Sequence, residues 1–205
     1  MPIYTIIAGV NGCGKSSLTG ALKAERADLG VIIDVDKLTV EAGGDRFLGG
    51  KEAIHKINDC LKKGLDFTQE TTLSGLRTEK TIQRARQAGY QIRLYYIGLN
   101  SAEESIKRIQ NRVAKGGHNI PQDVVERRFS SRFEDISRIL FYCNEAIFYD
   151  NDNGFRVVGE YRNGEILQIG ESCPHWLYEL QEIVSPQTTP LKFREKTNIK
   201  VKEEK

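Results

Sequence analysis

Short runs of apolar residues alternate, over most of the chain, with segments whose apolar positions recur at helical spacing. The first run, Ile3–Ala8, precedes a predicted helix at about 15–24, and the second run, at 31–33, ends in the turn Asp34-Val35-Asp36. Short runs rich in β-branched residues are typical of buried strands in a parallel sheet. The alternation therefore predicts an α/β fold with a parallel sheet that helices cover on both faces.

The same alternation continues through the middle of the chain. Gly64 ends one predicted helix as a C′ residue, and Ser101, followed by acidic residues, is an N-cap signal that opens another. Gly116-Gly117 interrupts that helix, and Pro121 suits the start of the next one. The predicted strands are 65–70, 91–99 and 145–149, and the predicted helices are about 51–63, 78–88, 101–114 and 121–140.

The C-terminal part of the chain carries a hairpin signal. The pair Asn163-Gly164 separates two alternating segments, which predicts a β-hairpin at about 155–170. A short helix is predicted at 174–183. Residues 185–205 are polar and charged without periodicity, which indicates a flexible tail. We therefore expect one domain, at 1–184, followed by that tail.

Composition excludes several classes of protein. Lys and Arg number 30 and Asp and Glu number 28, and this near balance does not favour a dedicated nucleic-acid-binding protein. The four cysteines form no C-x-x-C motif and have no paired histidine, which argues against a zinc site or a disulfide framework and fits a reducing cytosol. No apolar run approaches the length of a membrane span, and no signal peptide precedes the first strand. We expect a soluble, cytoplasmic protein with no membrane partner.

The first candidate for chemistry follows the first strand directly. Residues 9–16 read G-x-x-x-x-G-K-S, the P-loop motif, in its expected place between a strand and a helix. Glycines let the backbone wrap a phosphate chain, and the N–H groups at a helix N-terminus bind anions. We expect Lys15 to reach the β- and γ-phosphates of ATP and the Ser16 hydroxyl to bind Mg²⁺. The predicted phosphate-binding residues are Asn11, Gly12, Cys13, Gly14, Lys15, Ser16 and Ser17.

Polar residues also follow the second and third predicted strands. In an open α/β sheet, ligands collect at the carboxyl ends of the strands, where Asp36 and Glu70 are found. Phosphoryl transfer to a hydroxyl needs a carboxylate that accepts the proton, and Asp36 is our candidate. Glu70 is a candidate for positioning the substrate or a metal-bound water. For Asp34, a structural role as a helix N-cap or turn residue explains the residue as well as a role in the chemistry does.

Arginines cluster around the predicted break at Gly116-Gly117. Arg108 and Arg112 lie at i and i+4, on one face of the helix before the break, and Arg128 belongs to a cluster after it. Two helices joined by glycines and carrying arginines are similar to the lid of a small-molecule kinase, which predicts a helical lid at about 101–140. Lid arginines such as Arg112 and Arg128 stabilise the transferring phosphoryl group, and a closed lid excludes water. The alternative is a solvated basic face, and His118 either contacts phosphate or ends a helix.

These motifs together resemble the zeta toxin family and its chromosomal zeta-like relatives, over about residues 3–151. The resemblance rests on the P-loop, the Asp-x-Asp turn, Glu70-Thr71-Thr72, and the later Gly-Gly-His-x-Ile-Pro and Arg-Arg-Phe. It implies a P-loop kinase in which Asp36 is the catalytic base and Glu70, Thr72 and His118 contact the substrate. The best-described members of the family phosphorylate UDP-N-acetylglucosamine. This chain departs from the toxin pattern at Ser74, where the family has an arginine, and Arg77 is the candidate replacement.

The sequence therefore predicts an ATP- and Mg²⁺-dependent phosphotransferase that acts on a hydroxyl of a small molecule, with a UDP-sugar such as UDP-N-acetylglucosamine as one candidate. The alternatives are a nucleotide or polynucleotide kinase, which shares the same apparatus, and a non-catalytic nucleotide-dependent switch. An Asn-Lys-x-Asp motif for reading guanine is missing from the sequence, which argues against a GTPase. The family includes toxins with antitoxin partners, but one chain does not identify such a partner.

Overall fold

The computed structural model describes residues 1–171 and 173–185, and in these ranges it contains seven strands and eight α-helices. Ser185 apart, the predicted tail lies outside the described residues. The strands are β1 (Ile3–Ala8), β2 (Val31–Asp34), β3 (Phe67–Thr71), β4 (Gln91–Gly98), β5 (Glu145–Asp150), β6 (Arg156–Arg162) and β7 (Glu165–Gln168). The helices are α1 (Lys15–Glu25), α2 (Val35–Glu41), α3 (Arg46–Lys63), α4 (Arg77–Gln87), α5 (Ala102–Ala114), α6 (Gln122–Ser130), α7 (Arg132–Leu140) and α8 (His175–Val184).

The strands form one sheet in the order β2-β3-β1-β4-β5-β6-β7. The first five strands in that order pair in parallel, and the last two continue the sheet as antiparallel strands. The predicted α/β fold and the C-terminal hairpin are therefore confirmed. Asn163 and Gly164 both adopt positive φ, at 52° and 88°, as the two-residue hairpin turn requires.

Helices cover both faces of the sheet, and β1 shows why. Tyr4, Ile6 and Ala8 belong to the larger core cluster, whereas Ile7 belongs to a second cluster with Val10 on the other side. Successive side chains of a strand point to opposite faces of the sheet. A strand that is apolar on both faces must therefore be covered by helices on both faces. Because β1 lies between β3 and β4, the loop that follows it opens at the centre of the sheet.

The prediction of a single helix at 121–140 is wrong, because the chain breaks at Ser131 between α6 and α7. The Ser131 hydroxyl donates to the Asp135 carboxylate at 2.9 Å, across the first turn of α7. The two helices also pack differently. Helix α7 places Phe133 and Ile136 in the larger core, while α6 places Val125 in a small cluster with α5. The predicted lid therefore stays a proposal only for α5, α6 and their connection.

The sequence also missed α2 and the first turn of α3. Asp34 caps α2, and Asp45 caps α3 by accepting hydrogen bonds from the N–H groups of the first turn. Gly49 lies inside α3 because the two helices approach closely there, and an added Cβ would lie 2.5 Å from Thr39 Oγ1. In the ranges that the structure describes, no helix is both long and apolar enough to cross a membrane.

Candidate active site

The loop after β1 adopts the conformation that the P-loop motif predicts. Gly9, Gly12 and Gly14 have positive φ, and a Cβ on Gly9 would lie 2.4 Å from the carbonyl oxygen of Ile97. Gly14 is the N-cap of α1 and has no side chain to bond the N–H groups of the first turn. Those groups stay available to an anion, as does the positive end of the helix dipole.

A cavity of about 690 Å³ opens at the carboxyl ends of the strands, above the P-loop. It brings together side chains from five parts of the chain that lie far apart in sequence. The predicted site residues that line it are Asn11, Gly12, Gly14, Lys15, Ser16, Ser17, Asp36, Glu70, Thr72, Arg112 and Arg128. Asp34, Arg77 and Arg108 line it as well. Such a cavity, lined by convergent polar groups, is the arrangement expected of a ligand site.

Glu70 lies against the residue that is expected to bind Mg²⁺. Its two carboxylate oxygens accept hydrogen bonds from the Ser16 and Thr19 hydroxyls, both at 2.7 Å. A hydroxyl beside a carboxylate is an oxygen donor set that suits Mg²⁺, which keeps several waters and binds through one or two carboxylates and the phosphates. Two roles were considered for Glu70, and this contact favours positioning a metal-bound water over positioning the substrate.

Burial is the largest cause that raises the pKa of the Glu70 carboxyl, and the hydrogen bond from Thr19 opposes it. A carboxyl whose folded pKa is raised binds more protons in the folded state than in the unfolded state. Stability therefore falls as the pH rises from the unfolded pKa, about 4.3, through the folded pKa. The position of Glu70 thus costs folding free energy at neutral pH, as is common at sites shaped for a ligand.

We expect Glu70→Gln to stabilise the nucleotide-free protein at about pH 7 and to match the wild type below about pH 4, because the neutral amide removes only the cost of the buried charge. Urea unfolding across this pH range measures the difference. Glu41→Gln, at an exposed position on α2, is the matched control and should change little at any pH. A Glu70→Gln effect that does not depend on pH would contradict the account.

The two aspartates after β2 have different surroundings. Asp34 Oδ1 accepts the N–H groups of Asp36 and Lys37 at 2.9 and 3.2 Å, so Asp34 is the N-cap of α2. Asp36 lies in the first turn of α2 with its exposed side chain on the cavity. Among the described residues its carboxylate has no hydrogen-bond or ion-pair partner, which leaves it available to a ligand.

Arg112 of α5 and Arg128 of α6 also line the cavity. Arg128 Nη1 donates to Asn11 Oδ1 at 2.9 Å. Burial is the main cause that lowers the pKa of Arg128, and the charge of Asp36 acts in the opposite direction. Arg112 donates from Nη2 to the carbonyl oxygen of His118 at 2.7 Å and so holds the turn between the helices.

Two predicted site residues do not place their side chains in the cavity. Cys13 is fully buried in the second core cluster, and burial raises the pKa of its thiol, so only its backbone faces the loop. His118 reaches away from the cavity, and its Nε2 lies 3.4 Å from Arg46 Nη2 at the start of α3. The contact between His118 and substrate stays a prediction.

Sequence reasoning missed two contributors to the site, Thr19 and Asn151, and gave Arg108 no role of its own within the arginine cluster. Thr19 lies one turn after Lys15 on α1 and meets Glu70. Asn151 donates from Nδ2 to the carbonyl oxygen of Cys13 at 2.8 Å and so supports the P-loop from the end of β5. Arg108 donates from Nη2 to the carbonyl oxygen of Asn151. Only Arg108 had a signal in the sequence, because it shares a helix face with Arg112.

Residues 54–155 match the Zeta toxin family. This segment, just under half of the chain, is therefore similar to Zeta toxin proteins. The matched segment includes Glu70 and the arginine-bearing helices α5 and α6, and it begins after the P-loop and Asp36. An uncharacterized protein of Haemophilus influenzae is 31% identical over 126 residues, which are 59% of this chain and 88% of that protein.

Solved structures of low sequence identity share the fold of this chain. One belongs to the PezAT chromosomal toxin–antitoxin system of Streptococcus pneumoniae, with a TM-score of 0.60 and 17% identity over 95% of this chain and 82% of that one. Another is from the AvrRxo1-ORF1:-ORF2 complex with ATP, with a TM-score of 0.60 and 17% identity over 93% of this chain and 65% of that one. The sheet and helices of this chain therefore have the same α/β fold as these proteins.

Proposed function

We propose that this chain is an ATP-dependent kinase that moves the γ-phosphate of ATP to a hydroxyl of a small molecule. The observation that supports this most is the single cavity that joins the P-loop, the Ser16–Glu70 pair and the unpartnered Asp36 carboxylate, with Arg128 facing them. A nucleotide-dependent switch needs the first two of these features. It has no need of a free carboxylate beside the place for an acceptor.

Each residue of the cavity has its own role in the proposed reaction. The N–H groups of the P-loop and Lys15 bind the phosphates of ATP, and Ser16 with Glu70 would hold Mg²⁺, which supplies positive charge to the phosphate oxygens when bound. Asp36 accepts the proton of the acceptor hydroxyl as its oxygen bonds to the γ-phosphorus and the bond to the ADP oxygen breaks. Arg128 and Arg112 stabilise charge on the transferring group.

We further propose a UDP-sugar such as UDP-N-acetylglucosamine as the acceptor. The match of residues 54–155 to the Zeta toxin family supports this class of acceptor, since the family to which the sequence is similar includes kinases of that substrate. The wall of the cavity beyond Asp36 offers the hydroxyl of Thr72 and the guanidinium of Arg77, groups that bind hydroxyls and phosphates. Arg77 lies near the position where the toxin pattern has its arginine.

Labelled ATP and a panel of acceptors test the proposal directly. The purified chain is incubated with Mg²⁺, ATP labelled at the γ-phosphate, and sugar nucleotides, nucleosides or RNA ends, and products are resolved by chromatography. Transfer to a sugar nucleotide is the expected result. Transfer only to nucleosides or RNA ends would make the chain a nucleotide or polynucleotide kinase. The switch would replace the kinase if nucleotide changed the affinity for a partner protein and no acceptor received phosphate.

A protein partner of the antitoxin type belongs to the same proposal. The PezAT system is a toxin–antitoxin pair, and AvrRxo1-ORF1 was solved together with AvrRxo1-ORF2. If the chain is a toxin that consumes an essential metabolite, its expression should slow growth through catalysis. Growth should then recover when the chain carries Asp36→Asn, and an equal growth defect with that variant would contradict a catalytic toxin.

We expect Arg128→Ala and Arg112→Ala to lower kcat about tenfold or more while ATP affinity changes less, because contacts to the transferring group strengthen in the transition state. Steady-state kinetics and calorimetry measure the two effects. Arg127→Ala is the matched control, since Arg127 is exposed and does not line the cavity. Equal losses for all three variants that added salt abolishes would identify a solvated basic face instead.

A further inference from the structure

The Asn11 side chain connects the P-loop to α6 across 117 positions of sequence. Its Oδ1 accepts the hydrogen bond from Arg128 Nη1, and the residue is only 4% exposed. We infer that Asn11 is a positioning residue that holds the Arg128 guanidinium over the place of the γ-phosphate. This inference rests on the proposed kinase function, and it assigns Asn11 a role beyond the backbone cradle of the P-loop.

The anchor is itself fixed from the side of α5. The buried Ser105 hydroxyl donates to the carbonyl oxygen of Asn11, and an added Cβ on Gly12 would lie 2.8 Å from the carbonyl oxygen of Ser105. The backbone at 11–12 therefore lies directly against α5. A hydrogen-bond acceptor held by such a backbone gives the Arg128 guanidinium a defined position before any ligand binds. An arginine without such a partner would lose side-chain entropy when a ligand orders it.

An amide is chemically suited to this task. A guanidinium has five N–H donors, so the bond to Asn11 leaves the others free for phosphate oxygens. The amide oxygen is neutral and leaves the positive charge of Arg128 uncompensated, whereas a carboxylate at this position would cancel that charge and repel the triphosphate. The charge of Asp36 also acts on Arg128. Holding Arg128 at Asn11 keeps it from pairing with the carboxylate that is needed as the base.

A double-mutant cycle measures the coupling between the two residues. Asn11→Ala should lower kcat about tenfold with little change in the KM for ATP, because misplacing one group at a reacting centre costs rate before it costs binding. In the Arg128→Ala background the same substitution should cost nothing more, since the group that it positions is gone. Losses that multiply, or a loss expressed mainly in KM, would mean that Asn11 contacts the nucleotide itself and would overturn the inference.

Hydrogen exchange in the nucleotide-free protein tests the connection without any reference to activity. Asn11→Ala and Arg128→Ala should each speed exchange across α6, and the double variant should add nothing. Gln122→Ala is the control, because it removes an exposed hydrogen bond between Gln122 and Glu126 within α6 and leaves Arg128 in place. Unchanged exchange in Asn11→Ala overturns the inference.

The two experiments separate the inference from the function on which it rests. If exchange shows the coupling and the wild type transfers phosphate to no acceptor, the kinase proposal fails while the contact stands. If the wild type is active and exchange shows the coupling but Asn11→Ala keeps full kcat, the contact does not position a catalytic group. Should Asn11→Ala fold poorly, Asn11→Ser replaces it, since serine is polar but too short to reach Arg128.

Discussion

Phosphoryl transfer by Asp36→Asn is expected to fall by about a hundredfold or more, while the affinity for ATP stays close to that of the wild type. The amide keeps the size and shape of the carboxylate, so the acceptor can still enter. It cannot accept the proton of the acceptor hydroxyl, and the attacking oxygen then has to lose its proton to water. Asp36 lies on the first turn of α2 without a hydrogen-bond or ion-pair partner among the described residues, so the substitution breaks no contact there.

Asp34→Asn is the matched control for this prediction. Asp34 lines the same cavity, but its carboxylate caps α2, and asparagine is an equally good N-cap. Loss of a negative charge near the phosphates is common to both variants, whereas loss of a base occurs only at Asp36. Single-turnover transfer with saturating ATP compares the two. Wild-type rates in Asp36→Asn, or equal losses in both variants, would remove Asp36 from the role of base.

Lys15→Ala is expected to weaken ATP binding and to lower turnover by about a hundredfold or more, because the side chain brings a positive charge to the β- and γ-phosphates. Lys15 Nζ donates to the carbonyl oxygens of Gly9 and Val10 at 3.0 and 3.1 Å. These bonds lie within the loop, so the sheet and its core keep their contacts. The free energy of unfolding should therefore change much less than the activity.

Calorimetry with ATP and thermal unfolding measure the two effects of Lys15→Ala. Lys23→Ala, in the last turn of α1, removes the same charge from the same helix at an exposed position and serves as the control. ATP should raise the melting temperature of the wild type and of Lys23→Ala by mass action, and should raise that of Lys15→Ala far less. An equal shift in all three proteins would show that the P-loop does not bind the triphosphate in the way proposed here.

Features that depend on neighbours in sequence could be predicted without a structure. The strand, the glycine turn and the helix of the P-loop follow one another within the first 25 residues, and their order was found as predicted. The hairpin at Asn163-Gly164 is also determined by neighbouring residues, since the turn needs positive φ at two successive residues. Even the carboxyl ends of β1, β2 and β3 could be placed together, because parallel strands share one edge of a sheet.

Tertiary contacts determine the features that the sequence did not predict, because they override the local conformational preference of a segment or join residues that are distant in sequence. The helical phase of the apolar positions continues through Ser131, so periodicity alone did not reveal that α6 and α7 bury their faces in different clusters. Close packing against Thr39 explains glycine in the interior of α3. The bonds from Ser16 to Glu70 and from Arg128 to Asn11 span 54 and 117 positions, and only the folded sheet brings their partners together. The sequence by itself determined the fold class and the position of the P-loop motif, while packing determined which side chains surround that loop.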